Sequence, residues 1–169
     1  MASKANFTPE EWARVLTAPM VTGMAITAAD PSGLWGLLQE SMSSGWALLN
    51  AKQDANANAL VKAVAQEFAS GDGRTLMRER LQGTFTGSQP ADLKRKAIDE
   101  LRAVSSILDA KAPEDATAFK AWLREIAQQA AEAGTEGGFL GFGGVAVSDA
   151  ERATLAEISD ALSTGGATT

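Results

Sequence analysis

The amino-acid sequence predicts an all-α fold, a single-domain antiparallel helical bundle of about five to seven helices with a glycine-rich loop before the last helix. Two observations predict the helices. Apolar side chains recur every three or four residues along most of the chain, which is the spacing of one helix face. Four prolines stand at helix starts: Pro9, Pro31, Pro90 and Pro113. A third observation disfavours a sheet, because only residues 145–147 resemble a strand, and three residues make no sheet.

The length and composition predict one domain. A chain of 169 residues that is 45% apolar can bury a sizeable core without disulfides or metals. We expect the domain to span residues 8–162, after a flexible N-terminus over 1–7 and before a flexible tail over 163–169.

The first helix has a clear start. Thr8 can cap it, Pro9 fits its first position, and Glu11 completes a capping box. Phe7 precedes the cap and is placed to form a hydrophobic staple. We expect Pro19 to kink or end this helix, because proline cannot donate to the preceding turn. Residues 20–29 then resume as a helix of small residues, which suits close contact with another helix.

The middle of the chain contains two more predicted helices and a turn. Asp30 caps a helix that opens at Pro31. A second helical pattern runs through Leu60, Val64 and Phe68, and residues 70–73 read as the turn that ends it. A short helix follows, which we expect Gly83 to close.

The second half has three regular helical patterns. Pro90 and Pro113 each open an amphipathic helix, and Ser148 with Glu151 forms a capping box for the last one. The apolar stripes of the three helices are Leu93, Ala97, Leu101, Val104 and Leu108; Phe119, Trp122, Leu123, Ile126 and Ala130; and Leu155, Ile158 and Leu162.

Composition excludes several function classes. The chain has no cysteine and no histidine, so it lacks thiolate chemistry, the commonest general base and the commonest transition-metal ligand. We therefore expect neither an enzyme nor a cofactor. The net charge of −6 disfavours nucleic acid as a partner. Residues 74–111 are an exception, since they carry more basic than acidic side chains, and we expect them to pack beside the acidic segments.

We expect a cytoplasmic protein without a membrane span. No apolar signal segment precedes Thr8. The longest uncharged stretch, residues 15–29, is shorter than the roughly 20 residues that cross a bilayer.

The glycine-rich loop over residues 137–144 is the first candidate site. It places Phe139, Leu140 and Phe142 among five glycines, which permit close backbone approach. The pattern Gly-x-Gly-x-x-Ala within it is not a dinucleotide fingerprint, because a helix precedes it instead of a strand. Two interpretations remain. The loop docks a partner, or its apolar side chains cover the end of the protein's own core. Trp35 is a further candidate interaction residue, since Gly33 and Gly36 leave space around it.

Four carboxylates form a candidate cation site. Asp30, Glu40, Asp149 and Glu151 could hold calcium or magnesium, although no known cation-loop spacing is present and helix caps also explain Asp149 and Glu151.

Two segments resemble the TerB-like (tellurite-resistance-associated) all-helical proteins. They are residues 28–33 with Glu40, and residues 143–151. The resemblance implies a helical bundle in a bacterial stress setting and associates the acidic residues with metal binding. Here Pro31 and the glycines of the second loop depart from the family's usual Asp-Gly pattern.

Three functional hypotheses follow. The first is a non-enzymatic interaction protein that self-associates or docks a protein partner through Phe139 to Phe142 or through the small-residue face of residues 20–29. The second is the divalent-cation-binding protein. The third is reversible membrane association by residues 15–49, which few nearby cations support.

Overall fold

The computed structural model describes residues 2–29, 58–136 and 147–163. It confirms the all-α prediction, and the described residues form six helices after a short 3-10 turn at Lys4–Asn6. The helices are α1 (Pro9–Ala29), α2 (Ala59–Ala69), α3 (Gly71–Phe85), α4 (Pro90–Lys111), α5 (Pro113–Glu136) and α6 (Asp149–Ser163).

Helix α1 lies at the centre of the bundle. It contacts each of the other five described helices, and α4 covers it most extensively. A helix that is apolar on all sides must be enclosed, and α1 has buried side chains around most of its circumference. The small residues Ala18, Thr22 and Ala25 are fully buried, as close helix packing requires. The small-residue face of 20–29 is therefore largely occupied by the chain's own helices, and docking through it would require the bundle to open.

The start of α1 is built as the sequence predicts. The Thr8 amide donates to Glu11 Oε2 at 2.8 Å, and the Glu11 amide donates to Thr8 Oγ1 at 3.2 Å. Phe7 is buried and its ring centroid lies 5.8 Å from that of Trp12, which is the predicted staple.

The described residues before α1 make long-range contacts at Ala2 and Lys4, whereas the sequence predicted a flexible arm over 1–7. Ala2 is buried in the core, and its amide donates to the carboxylate of Asp115. Lys4 Nζ lies 2.8 Å from Glu67 Oε1 on α2. These contacts depend on residues far away in the sequence, which local patterns do not reveal.

The prediction that Pro19 could end the helix is wrong. Helix α1 runs continuously from Pro9 to Ala29, with Pro19 inside it and buried. Proline removes one backbone hydrogen bond, but Pro19 is buried and the helices packed around most of α1 hold its backbone in place.

The junction of α2 and α3 also differs from the predicted turn at 70–73. Ser70 alone joins the two helices, and Gly71 and Gly73 belong to the first turn of α3. The Ser70 hydroxyl caps α3 by accepting from the Gly73 amide at 2.9 Å. Gly83 does not close α3, which continues to Phe85.

Helices α4 and α5 form a hairpin joined by the single residue Ala112. All five predicted apolar positions of α4 are buried, and in α5 the Phe119 and Trp122 rings meet edge to face at 5.3 Å. Contacts from Glu11 to Lys111 and from Arg14 to Glu100 show that α4 runs opposite to α1. Helix α5 therefore runs in the same sense as α1, and the two helices end at the same end of the bundle.

No helix within the described parts of the chain is both long and apolar enough to cross a membrane.

Candidate functional site

The outer face of α4 carries a regular arrangement of exposed charge. Asp92, Arg95, Asp99 and Arg102 alternate in sign at spacings of three, four and three residues. This spacing keeps them on one helix face. The buried stripe of α4 lies on the opposite side of the helix, so this charged row points away from the core.

The side chains of the charged row pair within the helix. Arg95 Nη2 donates to Asp92 Oδ1 at 2.9 Å, and Arg102 Nη1 donates to Asp99 Oδ1 at 2.8 Å. All four side chains are at least half exposed, with Arg95 at 71% and Asp99 at 62%. Exposed pairs of this kind contribute about 0–1 kcal/mol, so their partners can be exchanged at little cost.

A shallow groove lies beside the charged row, between α4 and α6. Its volume is about 410 Å³, and Ile98 contributes a buried apolar side chain to its lining. Ala91, an exposed residue of α4, also lines the groove. Lys94 of α4 and Glu157 of α6 also line the groove, and Lys94 Nζ lies 2.8 Å from Glu157 Oε1. The row and the groove together form a continuous charged face with a small apolar area.

A second charge cluster is enclosed between helices. Glu100 of α4 accepts from Arg14 of α1 at 2.9 Å and from Arg80 of α3 at 3.0 and 3.2 Å. All three side chains are at most a quarter exposed. Because this cluster ties three helices together through interactions already made, its role is structural.

Two further buried ions have the same role. Asp115 accepts from the Ala2 amide and, at 2.7 Å, from Nδ2 of Asn58. Lys120 is buried in α5, and its Nζ donates to both carboxylate oxygens of Asp109 at 2.7 Å. Asp115 joins the N-terminal segment to the starts of α2 and α5, and Lys120 stabilises the α4–α5 hairpin.

Within the described residues, the predicted neutralisation of residues 74–111 by acidic segments occurs at two places. Lys94 pairs with Glu157, and Lys111 lies 3.9 Å from Glu11. Arg95 and Arg102 instead pair inside their own segment.

Two of the four predicted cation ligands fall within the described residues. Asp149 is fully exposed and lies 3.1 Å from Arg152. Glu151 is buried, and its Oε2 accepts from the amide of Ser148 at 2.8 Å and from its hydroxyl at 2.9 Å. Among the described residues, no three acidic, histidine or cysteine side chains come together as a metal site. The capping function of Glu151 accounts for its position.

The remaining predicted site residues lie outside the described residues: Asp30, Glu40, Trp35, Phe139, Leu140 and Phe142. The described helices that precede them in the chain are α1 and α5, which end at the same end of the bundle.

Comparison of this chain with protein-family models, with curated proteins and with solved structures found no match. The TerB-like resemblance stays a prediction from the sequence.

The charged row of α4 was missed by the sequence reasoning. The sequence analysis followed the apolar stripe from Leu93 to Leu108 and made no separate prediction for the opposite face. The signal was present in the sequence, because charges that alternate in sign at three- and four-residue spacing indicate an exposed, ion-paired helix face.

Proposed function

We propose that this protein is a non-enzymatic interaction protein that binds another protein through the outer face of α4 and the adjoining groove. The single observation that supports this function is the exposed charged row beside the apolar lining of Ile98. Arginine is enriched in protein–protein interfaces, where a small apolar centre is surrounded by a polar rim.

The shape and charge of this face favour a protein over other ligands. Small-molecule sites are usually enclosed, whereas this groove is open and is bordered by the charged side chains of Lys94, Arg95 and Glu157. Acidic and basic side chains are equally numerous in the charged row, which does not favour a phosphate backbone.

The existing ion pairs do not prevent binding. A guanidinium group has five N–H donors, and Arg95 and Arg102 each use only part of that capacity on a carboxylate of α4. A partner that presents charges of the complementary sign can bind the free donors or replace the intrahelical pairs. Its affinity then depends on how well its charges match the order of the charged row.

Site-specific photo-crosslinking in cells that contain the protein tests this function. A benzophenone amino acid at Ala91 lies in the groove, and the same residue at Ala121, an exposed alanine of α5, is the matched control. We expect a discrete adduct from position 91, identified by mass spectrometry as one protein, and little or none from position 121. Equal labelling at both positions, or no adduct at position 91, would contradict the proposal.

A further inference from the structure

We infer that the partner of this face is a second copy of the same chain, bound through α4 in an antiparallel arrangement about a two-fold axis. This inference rests on the proposed function, because it names the partner of the same face. The observation that leads to it is the order of charges along the helix, which is complementary to its own reverse.

An antiparallel pair of α4 helices centred level with Ala97 brings opposite charges together. Asp92 of one copy then faces Arg102 of the other, and Arg95 faces Asp99. The symmetry repeats both contacts, so the interface contains four acid–base pairs. A two-fold interface requires a self-complementary surface of this kind.

The alternatives are less favourable for electrostatic reasons. A parallel pair of α4 helices in register would place each charge against an identical one, which costs several kcal/mol. In the antiparallel pair, every charged group of the row exchanges a partner within its helix for one on the other copy. No charge of the row is then buried without a counter-ion.

Small residues flank the charged row at equal distances along the helix on either side of Ala97. Ala91 and Ala103 lie on the two edges of the row, and in the antiparallel pair Ala91 of one copy is level with Ala103 of the other. Short side chains there let two helices approach closely enough for Asp and Arg to meet directly.

The surrounding surface fits a weak, reversible complex. Each copy carries a net charge of −6, so two copies repel each other except where local charges are complementary. The exposed side chains of the row provide modest energy per pair. We therefore expect a dimer in rapid equilibrium with the monomer.

Light scattering over a concentration series tests the inference. The weight-average mass of the wild type should rise from the monomer value of 17.6 kDa toward twice that value as concentration increases from about 10 µM to about 1 mM. A mass that stays at 17.6 kDa throughout this range overturns the inference.

Charge reversal and charge exchange identify the surface. Asp99→Arg places an arginine against Arg95 of the second copy at two symmetry-related points, and we expect dimerisation to weaken at least about tenfold. The same substitution makes each copy less negative overall, so weaker association cannot come from global repulsion. The double variant Arg95→Asp/Asp99→Arg restores both the net charge and the complementarity, and should return dimerisation to within about threefold of the wild type. Failure of this rescue, or a dimer unaffected by Asp99→Arg, overturns the inference.

Two controls separate this inference from its alternatives. Circular dichroism should show that the α4 variants keep the helical content of the wild type. Phe139→Ser/Phe142→Ser should leave the dimer intact, and loss of the dimer in this variant but not in Asp99→Arg would assign the interface to the glycine-rich loop.

If the wild type is monomeric while position 91 cross-links to a different protein, the inference fails and the proposed function stands. If position 91 gives no adduct either, both fail.

Discussion

Gly73 at the start of α3 lies directly against the backbone carbonyl of Glu67 in α2. A β-carbon at position 73 would overlap the carbonyl oxygen of Glu67 far inside any contact that real side chains make, and backbone cannot move aside cheaply. The same carbonyl accepts from the amide and the hydroxyl of Ser70, which turns the chain between the two helices. Glycine at 73 is therefore required by close approach.

We expect Gly73→Ala to lower the free energy of unfolding by roughly 2–4 kcal/mol, because the α2–α3 junction must shift. Gly83 is the matched control. It lies in the same helix with open space where a β-carbon would stand, so Gly83→Ala should raise the free energy of unfolding by about 0.5–1 kcal/mol. Urea unfolding of both variants measures this. A loss of similar size in both variants would show that helix α3 simply does not tolerate alanine.

Local capping was predictable from the sequence, whereas this junction was not. The boxes of Thr8 with Glu11 and Ser148 with Glu151 each involve residues three apart, and short-range patterns specify such contacts. Gly73 belongs to a contact between two helices, which its neighbours in sequence do not indicate. Pro19 is a similar case, because the packing around α1 outweighs the local preference to end a helix.

The candidate site was less predictable than the fold. Apolar stripes show which face of a helix is buried, and the stripe of α4 was predicted correctly. Its opposite face carries the charged row from Asp92 to Arg102, and the sequence alone does not establish that the side chains of this row are exposed. Burial in the structure separates the enclosed Glu100 from the exposed Asp99, although the two are adjacent in sequence.

Glu100 should contribute far more to stability than its neighbour. Glu100→Gln removes the charge on which Arg14 and Arg80 converge and leaves two partly enclosed guanidinium groups, so we expect a loss of about 1–3 kcal/mol. Asp99→Asn, which breaks only an exposed pair, should change the free energy of unfolding by no more than about 0.5 kcal/mol. Chemical denaturation at low protein concentration measures both without a contribution from dimerisation. Equal effects would mean that the enclosed cluster is no stronger than a surface pair.

The capping box of α1 should make stability depend on pH. The backbone N–H of Thr8 lowers the pKa of Glu11, desolvation partly opposes it, and the charge of Lys111 and the Thr8 hydroxyl lower it further. A carboxyl whose pKa is lower in the folded state than in the unfolded state stabilises the fold when the pH is above the ordinary pKa of 4.5. This contribution is lost as the pH falls below 4.5 and through the lower pKa of the folded state.

Glu11→Gln isolates that contribution, because glutamine can still accept from the Thr8 amide but does not titrate. We expect the wild type to have a higher melting temperature than the variant at about pH 7, and the difference to shrink at about pH 3. Thermal unfolding followed by circular dichroism at the two pH values measures it. A difference that is unchanged by pH would show that the charge of Glu11 does not stabilise the helix.

Asp115 should stabilise the first turn of α2 by holding the side chain of Asn58, which caps that helix. Its carboxylate accepts from Nδ2 of Asn58, and the other amide atom of the same side chain, Oδ1, accepts from the Leu60 amide at 2.9 Å. Asp115→Ala leaves the Ala2 amide and Asn58 Nδ2 without this acceptor, and we expect a loss of about 1–3 kcal/mol. Because the Asn58 side chain is then held at one end only, the Leu60 amide should exchange with deuterium faster than in the wild type.

Asn58→Asp is the complementary variant, since it keeps a capping oxygen for Leu60 but places a carboxylate against Asp115. It should lose global stability while the Leu60 cap persists. If Asp115→Ala lowers stability without faster exchange at Leu60 relative to the α2 interior, then Asp115 acts only through the N-terminal segment, and the link from Asp115 through Asn58 to α2 is wrong.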